Sequence, residues 1–283
     1  DQDGNIGWFP SHLVPVRANI AAGDLSHPPF LPMPGDGSAE WDGWVPRSAL
    51  PQSLNPESGY LVTANADPIG VTYDNDPFND GPYIGHTWAA GFRMARSAEL
   101  VAAAVKKGGV TFDDMAAVQG DHRSNVGVRI APYLVAAIQA ANAGTAPLAA
   151  AELTPQVQEA LTYLAEWDYR AASGVGDDVS DADVKSSVAT SIFNAFLVYL
   201  VKNTLADEGV ADIGDAFRVR VLIRMLEVPE GMKTYDAGSS QSRLWDDIDT
   251  DEVVETRDQI LVRSLVQALA FLADPTAVGP HEN

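Results

Sequence analysis

Near residue 88 the chain changes the kind of structure it can make. Up to that point Pro, Gly, Trp and Asp are frequent, and short strand-like stretches alternate with turns. NIGWF, HLVPVRANI and GYLVTA read as strands. Between them HPPFLPMPGDGSAEWDGW and RSALPQSLNPESG are long irregular segments held by prolines, of a length that is usually functional or wrapped over a scaffold. From about residue 89, apolar residues recur at helical spacing. AAGFRMARSAELVAAAVKKGG predicts a helix ending at Gly108 and Gly109. Thr111 and Asp114 make a capping-box pattern for FDDMAAVQ. Residues 127–142 read as helical, and Thr154 with Pro155 starts a helix through Trp167. The longest helical pattern runs from Asp181 to Ala206, with Val184, Val188, Ile192, Phe196 and Leu200 along one face. Residues 214–226 and 252–273 complete the set. The expectation is an α+β chain, with strands and irregular segments over 1–88 and mainly helices over 89–283, without an internal repeat.

The formal net charge of −21 argues against partners that are themselves anionic. Such a chain repels phosphate backbones and acidic lipid heads, so no nucleic acid and no membrane surface is expected as partner. No unbroken run of about 18 apolar residues predicts a transmembrane segment. The absence of cysteine removes disulfides, thiolate metal sites and cysteine nucleophiles. The first residues, DQDGNIGWFP, lack the basic and apolar regions of a signal peptide, and the chain reads as a piece or mature part of a longer polypeptide.

Glycine-rich phosphate loops, G-x-S-x-G elbows and H-E-x-x-H helices are absent. His12, His27, His86, His122 and His281 show no ligand spacing. What remains is sparse. Asn65 ends the strand-like stretch NPESGYLVTANADP, where its amide serves either to cap a turn or to face a site. The segment from Tyr73 to Gly81 is dense in oxygen ligands, with Asp74, Asp76, Asn79 and Asp80. They suit calcium, a hard cation taking six to eight oxygens, or a solvated acidic turn. Phe78 breaks any EF-hand pattern. Arg93 and Arg96 share a helix face with Glu99, a spacing common to structural ion pairs.

Three segments taken in order carry more weight than any one of them: DQDGNIGWF at 1–9, LPMPGDGSAEWDGWVP at 31–46 and NPESGYLVTANADP at 55–68. With GFRMARSAEL, TFDDMAAVQGDHRS and LAEWDY following, the series resembles the central part of the β-subunit of penicillin acylases, a family of N-terminal nucleophile hydrolases. The resemblance spans nearly the whole chain. It implies part of an αββα fold and hydrolysis of N-acyl amides of the penicillin, cephalosporin or acyl-homoserine-lactone type. It also implies self-processing of a precursor into α- and β-subunits, and a periplasmic or extracellular location. In such enzymes the α-amine of an N-terminal Ser, Thr or Cys is the base for its own side chain, since an amine with a pKa near ~8 is usable at neutral pH.

The resemblance places Asn65 as an oxyanion-hole donor. It places Arg93 near the nucleophile's amine, with Arg96 as competitor. It implies a structural calcium held by a backbone carbonyl at Pro29 and by Asp76 or Asp80, with further ligands outside the chain. Residue 1 is Asp, so the nucleophile is expected outside these residues, as are the α-subunit and the rest of the β-subunit. Residues 1–283 alone are expected to be inactive. The rival reading is a non-enzymatic, acidic, exported binding module with a calcium-stabilised loop. A Gly-Ser, Gly-Thr or Gly-Cys junction encoded upstream of Asp1 separates the two.

Overall fold

Where apolar residues recur at helical spacing the chain builds a core, and where prolines and glycines dominate it does not. A computed structural model describes residues 1–70, 74, 76–209, 215–250, 253–274 and 276. They form two units, Asp1–Gly120 and Asp121–Asn283.

In the first unit, strand β1 (Gly7–Trp8) pairs antiparallel with β4 (Ser53–Leu54), and β2 (Pro15–Arg17) with β3 (Trp41–Trp44). A short helix α1 (Ala18–Ala21) follows β2 directly. Two-stranded ribbons cannot bury both faces. Accordingly only Pro10, Val14, Asn19, Leu50 and Ala64 are buried among the described residues of this unit, while Trp8, Trp41 and Trp44 stay exposed. The expected strand GYLVTA is not one: residues 60–63 have no strand partner among the described residues. Their β-branched and aromatic character favours extension, but a strand exists only where a neighbour completes its ladder.

Helix α2 (Phe92–Lys107) ends at Gly108, whose φ of 76° no side-chain-bearing residue adopts easily. Helix α3 (Phe112–Gln119) carries the predicted capping box between Thr111 and Asp114. A hydrogen bond from Lys107, followed by bonds from Thr111, holds the Asp114 carboxyl down at about 2.

The second unit is helical: α4 (Asn125–Asn142), α5 (Pro147–Ala150), α6 (Pro155–Ala165), α7 (Asp181–Leu205), α8 (Asp215–Glu227) and α9 (Arg257–Ala273). One hairpin, β5 (Tyr235–Asp236) with β6 (Gln241–Ser242), interrupts them. Helices α7 and α9 form the largest contact, and Ile130, Leu134, Phe193, Phe196, Trp245 and Leu265 are almost wholly buried. By length and composition α7 is apolar enough to cross a membrane, which corrects the expectation that no such segment exists. An unbroken apolar run overlooks this helix because Thr190, Ser191 and Asn194 interrupt it. Its buried residues, including Ile192, Phe196 and Leu200, serve the core of this unit.

Trp167 shows how tightly that core is fitted. Its indole donates from Nε1 to the Arg170 carbonyl at 3.1 Å, and its ring sits 5.2 Å from that of Phe193. A Cβ added at Gly127 would lie 2.7 Å from Trp167 Cη2. Gly127→Ala therefore forces a buried, hydrogen-bonded ring to move. Overpacking of about 1–3 kcal/mol outweighs a helix-propensity gain of up to about 1 kcal/mol. A lowered thermal midpoint is the expected result, and an unchanged or raised one contradicts it.

Candidate active site

The irregular stretch after β4 turns sharply at Asn65. Its φ of 56° lies in the left-handed region, which asparagine tolerates better than most residues. Two contacts hold the turn: the Ala89 amide donates to the Asn65 carbonyl at 2.9 Å, and Arg93 reaches back from the first turn of α2. One guanidinium nitrogen, Nη2, donates to the Ala64 carbonyl at 3.2 Å and to Asn65 Oδ1 at 2.8 Å.

That second bond decides which way the amide faces. A guanidinium can only donate, so the atom it meets must be the oxygen. The Asn65 Nδ2 donors are thereby directed away from Arg93. The two residues singled out from sequence, 28 positions apart, are thus brought together. Arg96 Nη1 pairs with Glu99 at 2.9 Å. Asn65 is exposed within this unit and sits on a turn, where the end of a strand was expected.

Asn65 lines a cleft of about 690 Å³. Apolar side chains make up much of its wall, among them Leu61, Val62, Ile84, Trp88 and Met94, with Asp67 and His12 as the titratable groups. Trp88 and Met94 carried no motif in the sequence. The only signal for Met94 was its place beside Arg93.

The acidic segment lies farther along the same unit; its Tyr73 and Asn75 fall outside the described residues. Asp74 accepts from the Asp76 amide at 2.9 Å and from Asn79 Nδ2 at 2.7 Å, and Asp76 accepts from the Phe78 amide at 2.9 Å. Asp80 differs. Its Oδ2 is enclosed and has no partner among the described residues. Burial raises its carboxyl above the ordinary range, and the nearby charges of Asp74, Asp67 and Asp76 push it further. The ring of Phe30 stacks on Phe78 at 6.3 Å, which draws the residue after Pro29 to this segment. No group of three or more metal-ligating side chains converges among the described residues. The donors present are hard oxygens in an incomplete set, and the unsatisfied Asp80 oxygen fits a cation completed from elsewhere.

The chain has part of the fold of a penicillin acylase. A thermostable penicillin G acylase from Alcaligenes faecalis superposes with a TM-score of 0.51 over 96% of this chain and 45% of that one, at 20% identity. The family model for penicillin amidase matches residues 1–282, and the chain belongs to that family. The penicillin acylase 2 proenzyme of Pseudomonas sp. (strain SE83) is 30% identical over 74% of this chain and 22% of its own length. The acyl-homoserine lactone acylase QuiP of Pseudomonas aeruginosa is 28% identical over 94% of this chain and 28% of its own. The chain thus spans less than a third of the length of the curated relatives it matches.

Proposed function

We propose that residues 1–283 form part of an N-acyl amide hydrolase and supply one donor of its oxyanion hole. The observation that carries this is the bond from Arg93 to Asn65 Oδ1, which presents the Asn65 Nδ2 donors in a fixed direction. A neutral amide suits the task. It stabilises charge developing on the carbonyl oxygen without forming an ion pair with the ground state. Arg93 contributes twice: it orients the amide, and its charge disfavours protonation of an amine nearby, keeping that amine a base. The nucleophile with its α-amine comes, on this reading, from residues outside 1–283, released by processing of one precursor.

The similar proteins are named for penicillins and for acyl-homoserine lactones, and an N-acyl amide bond is what those substrates share. We propose that bond as the substrate class, and a location outside the cytoplasm for the complete enzyme. A non-enzymatic acidic module gives no reason for a guanidinium to select one face of that amide. The test is hydrolysis of chromogenic acyl amides by the complete protein and by Asn65 variants. Absence of hydrolysis across short, long and aromatic acyl groups overturns the reading.

Asp80, with Asp76 and the Pro29 carbonyl, is proposed to offer oxygens to a structural calcium completed outside these residues. A divalent cation would neutralise the carboxylates that crowd Asp80. An ion bound only by the folded state adds about 2.7 kcal/mol at a hundredfold excess over its Kd. Chelation of the complete enzyme should therefore lower its thermal midpoint by several degrees, and added calcium should restore it. An unchanged midpoint at saturating chelator would reduce the segment to an acidic turn.

A further inference from the structure

Four rings close a circuit in the first unit, on the chain that delivers Arg93. Phe78 stacks on Phe30 with centroids 6.3 Å apart and on Tyr83 at 5.5 Å. The Phe30 ring lies 4.6 Å from that of His86, and Tyr83 Oη is 3.2 Å from His86 Nδ1, within hydrogen-bond distance. Each ring thereby has a neighbour on either side. The circuit also has a base. The Arg17 guanidinium, at the end of β2, sits 5.0 Å over the Tyr83 ring. The buried Asn19 amide donates to the Asp24 and His27 carbonyls at 3.3 and 3.1 Å, which ties the chain leading to Phe30 down to α1. Aromatic pairs in stacked or tilted contact attract beyond the area they bury, and a cation over a ring face adds to this.

The chain between circuit and cleft is short. Just past His86, Ala89 donates its amide to the Asn65 carbonyl, and one helical turn later Arg93 donates to Asn65 Oδ1. A donor aimed at developing charge works only if held in place, since a misplacement of about 1 Å can cost about 100-fold in rate. Arg93 aims the amide, and the chain that carries Arg93 starts from the rings. We propose that Phe78, Phe30 and Tyr83 are positioning residues for the oxyanion donor, acting through Arg93. The proposal rests on the reading of Asn65 as oxyanion donor. Phe30 is 41% exposed and Phe78 only half-buried, so truncating either removes little core, and the loss should fall on rate.

The test is a double-mutant cycle in the complete enzyme, on a chromogenic acyl amide that the wild type hydrolyses. Phe78→Ala should lower kcat by about tenfold, with KM changed less than about threefold. Phe78→Tyr keeps the stacked ring and should restore most of the turnover. In an Asn65→Ala background the donor is already gone, so Phe78→Ala should change kcat less than about twofold. A smaller active fraction would lower kcat equally in both backgrounds, so the cycle separates positioning from general destabilisation. Should Phe78→Ala fail to fold, Phe30→Ala takes its place in the cycle. Equal factors in the two backgrounds, or kcat within about twofold of wild type for both phenylalanine variants, overturn this proposal and leave Asn65 untouched. A wild type that cleaves no acyl amide, or an Asn65→Ala variant of normal turnover, overturns the functional reading and this proposal with it.

Discussion

Asn65→Ala in the complete enzyme is expected to lower turnover by about two to three orders of magnitude, as removal of one preorganised oxyanion donor does. Substrate binding should weaken far less, because the donor acts on charge that develops in the transition state. The substitution also has a conformational cost. Asn65 sits at a φ of 56° and accepts from Arg93, so alanine there loses about 1–2 kcal/mol of stability as well. Asn65→Asp separates the two effects. Aspartate keeps an oxygen for Arg93 and tolerates the left-handed backbone, but it has no donor and adds negative charge. Turnover should fall at least as far as in the alanine variant, with a smaller loss of denaturation midpoint. Near-normal turnover in either variant would mean that Asn65 only holds the turn.

In the second unit the largest expected effect is on stability. Glu255 is 1% exposed and receives Arg263 Nη1 at 3.1 Å; the same arginine reaches Glu152 through Nε at 3.1 Å. Arg263→Met leaves a carboxylate buried without its cation, which typically destabilises by about 3–5 kcal/mol. For a unit of this size that is a fall of roughly 10 °C in midpoint. The effect should depend on pH in a definite direction. Burial pushes the Glu255 carboxyl up, but hydrogen bonds from Arg263, Thr250 and the Asp247 amide outweigh it and leave it below its ordinary value. Its stabilising contribution is then present above the unfolded-state pKa and lost as pH falls through the lowered folded-state value. In the variant that carboxylate takes up a proton more readily, so the gap in midpoint should narrow as pH drops from 7 toward 4. A gap below about 1 kcal/mol, or one that does not change with pH, would show that the pair is dispensable.

Local chemistry was readable wherever a residue acts on its own backbone. The Thr111–Asp114 box, the Gly108 terminus and the Thr154–Pro155 start all appear where the sequence places them. Packing faces were harder to read. A stripe at every fourth residue drifts by about 40° per step on a helix of 3.6 residues per turn. Of the face drawn through Val184, Val188, Ile192, Phe196 and Leu200 the last three are buried, while toward the N-terminus the buried face shifts to Ser186 and Ala189 and Val184 is 44% exposed. Residues 60–63 look like a strand in isolation because propensity describes the residue and pairing describes its neighbours. Asn65 and Arg93 were legible as candidates through family resemblance alone. That they meet depends on a backbone turn with no sequence signature beyond an asparagine that permits it, whereas the pairing of Arg96 with Glu99 follows from their helical spacing.

The bond between Arg93 and Asn65 closes a loop of 28 residues, and the acidic segment around Asp80 lies within it. Closing a flexible loop of that length costs about 3 kcal/mol in chain entropy. A free chain would leave such a contact open much of the time. Any event that restricts the chain between its ends removes part of that cost in advance. Order imposed at Asp80 therefore favours the Asn65 contact through the statistics of the intervening chain, an effect that requires no relay of packed side chains.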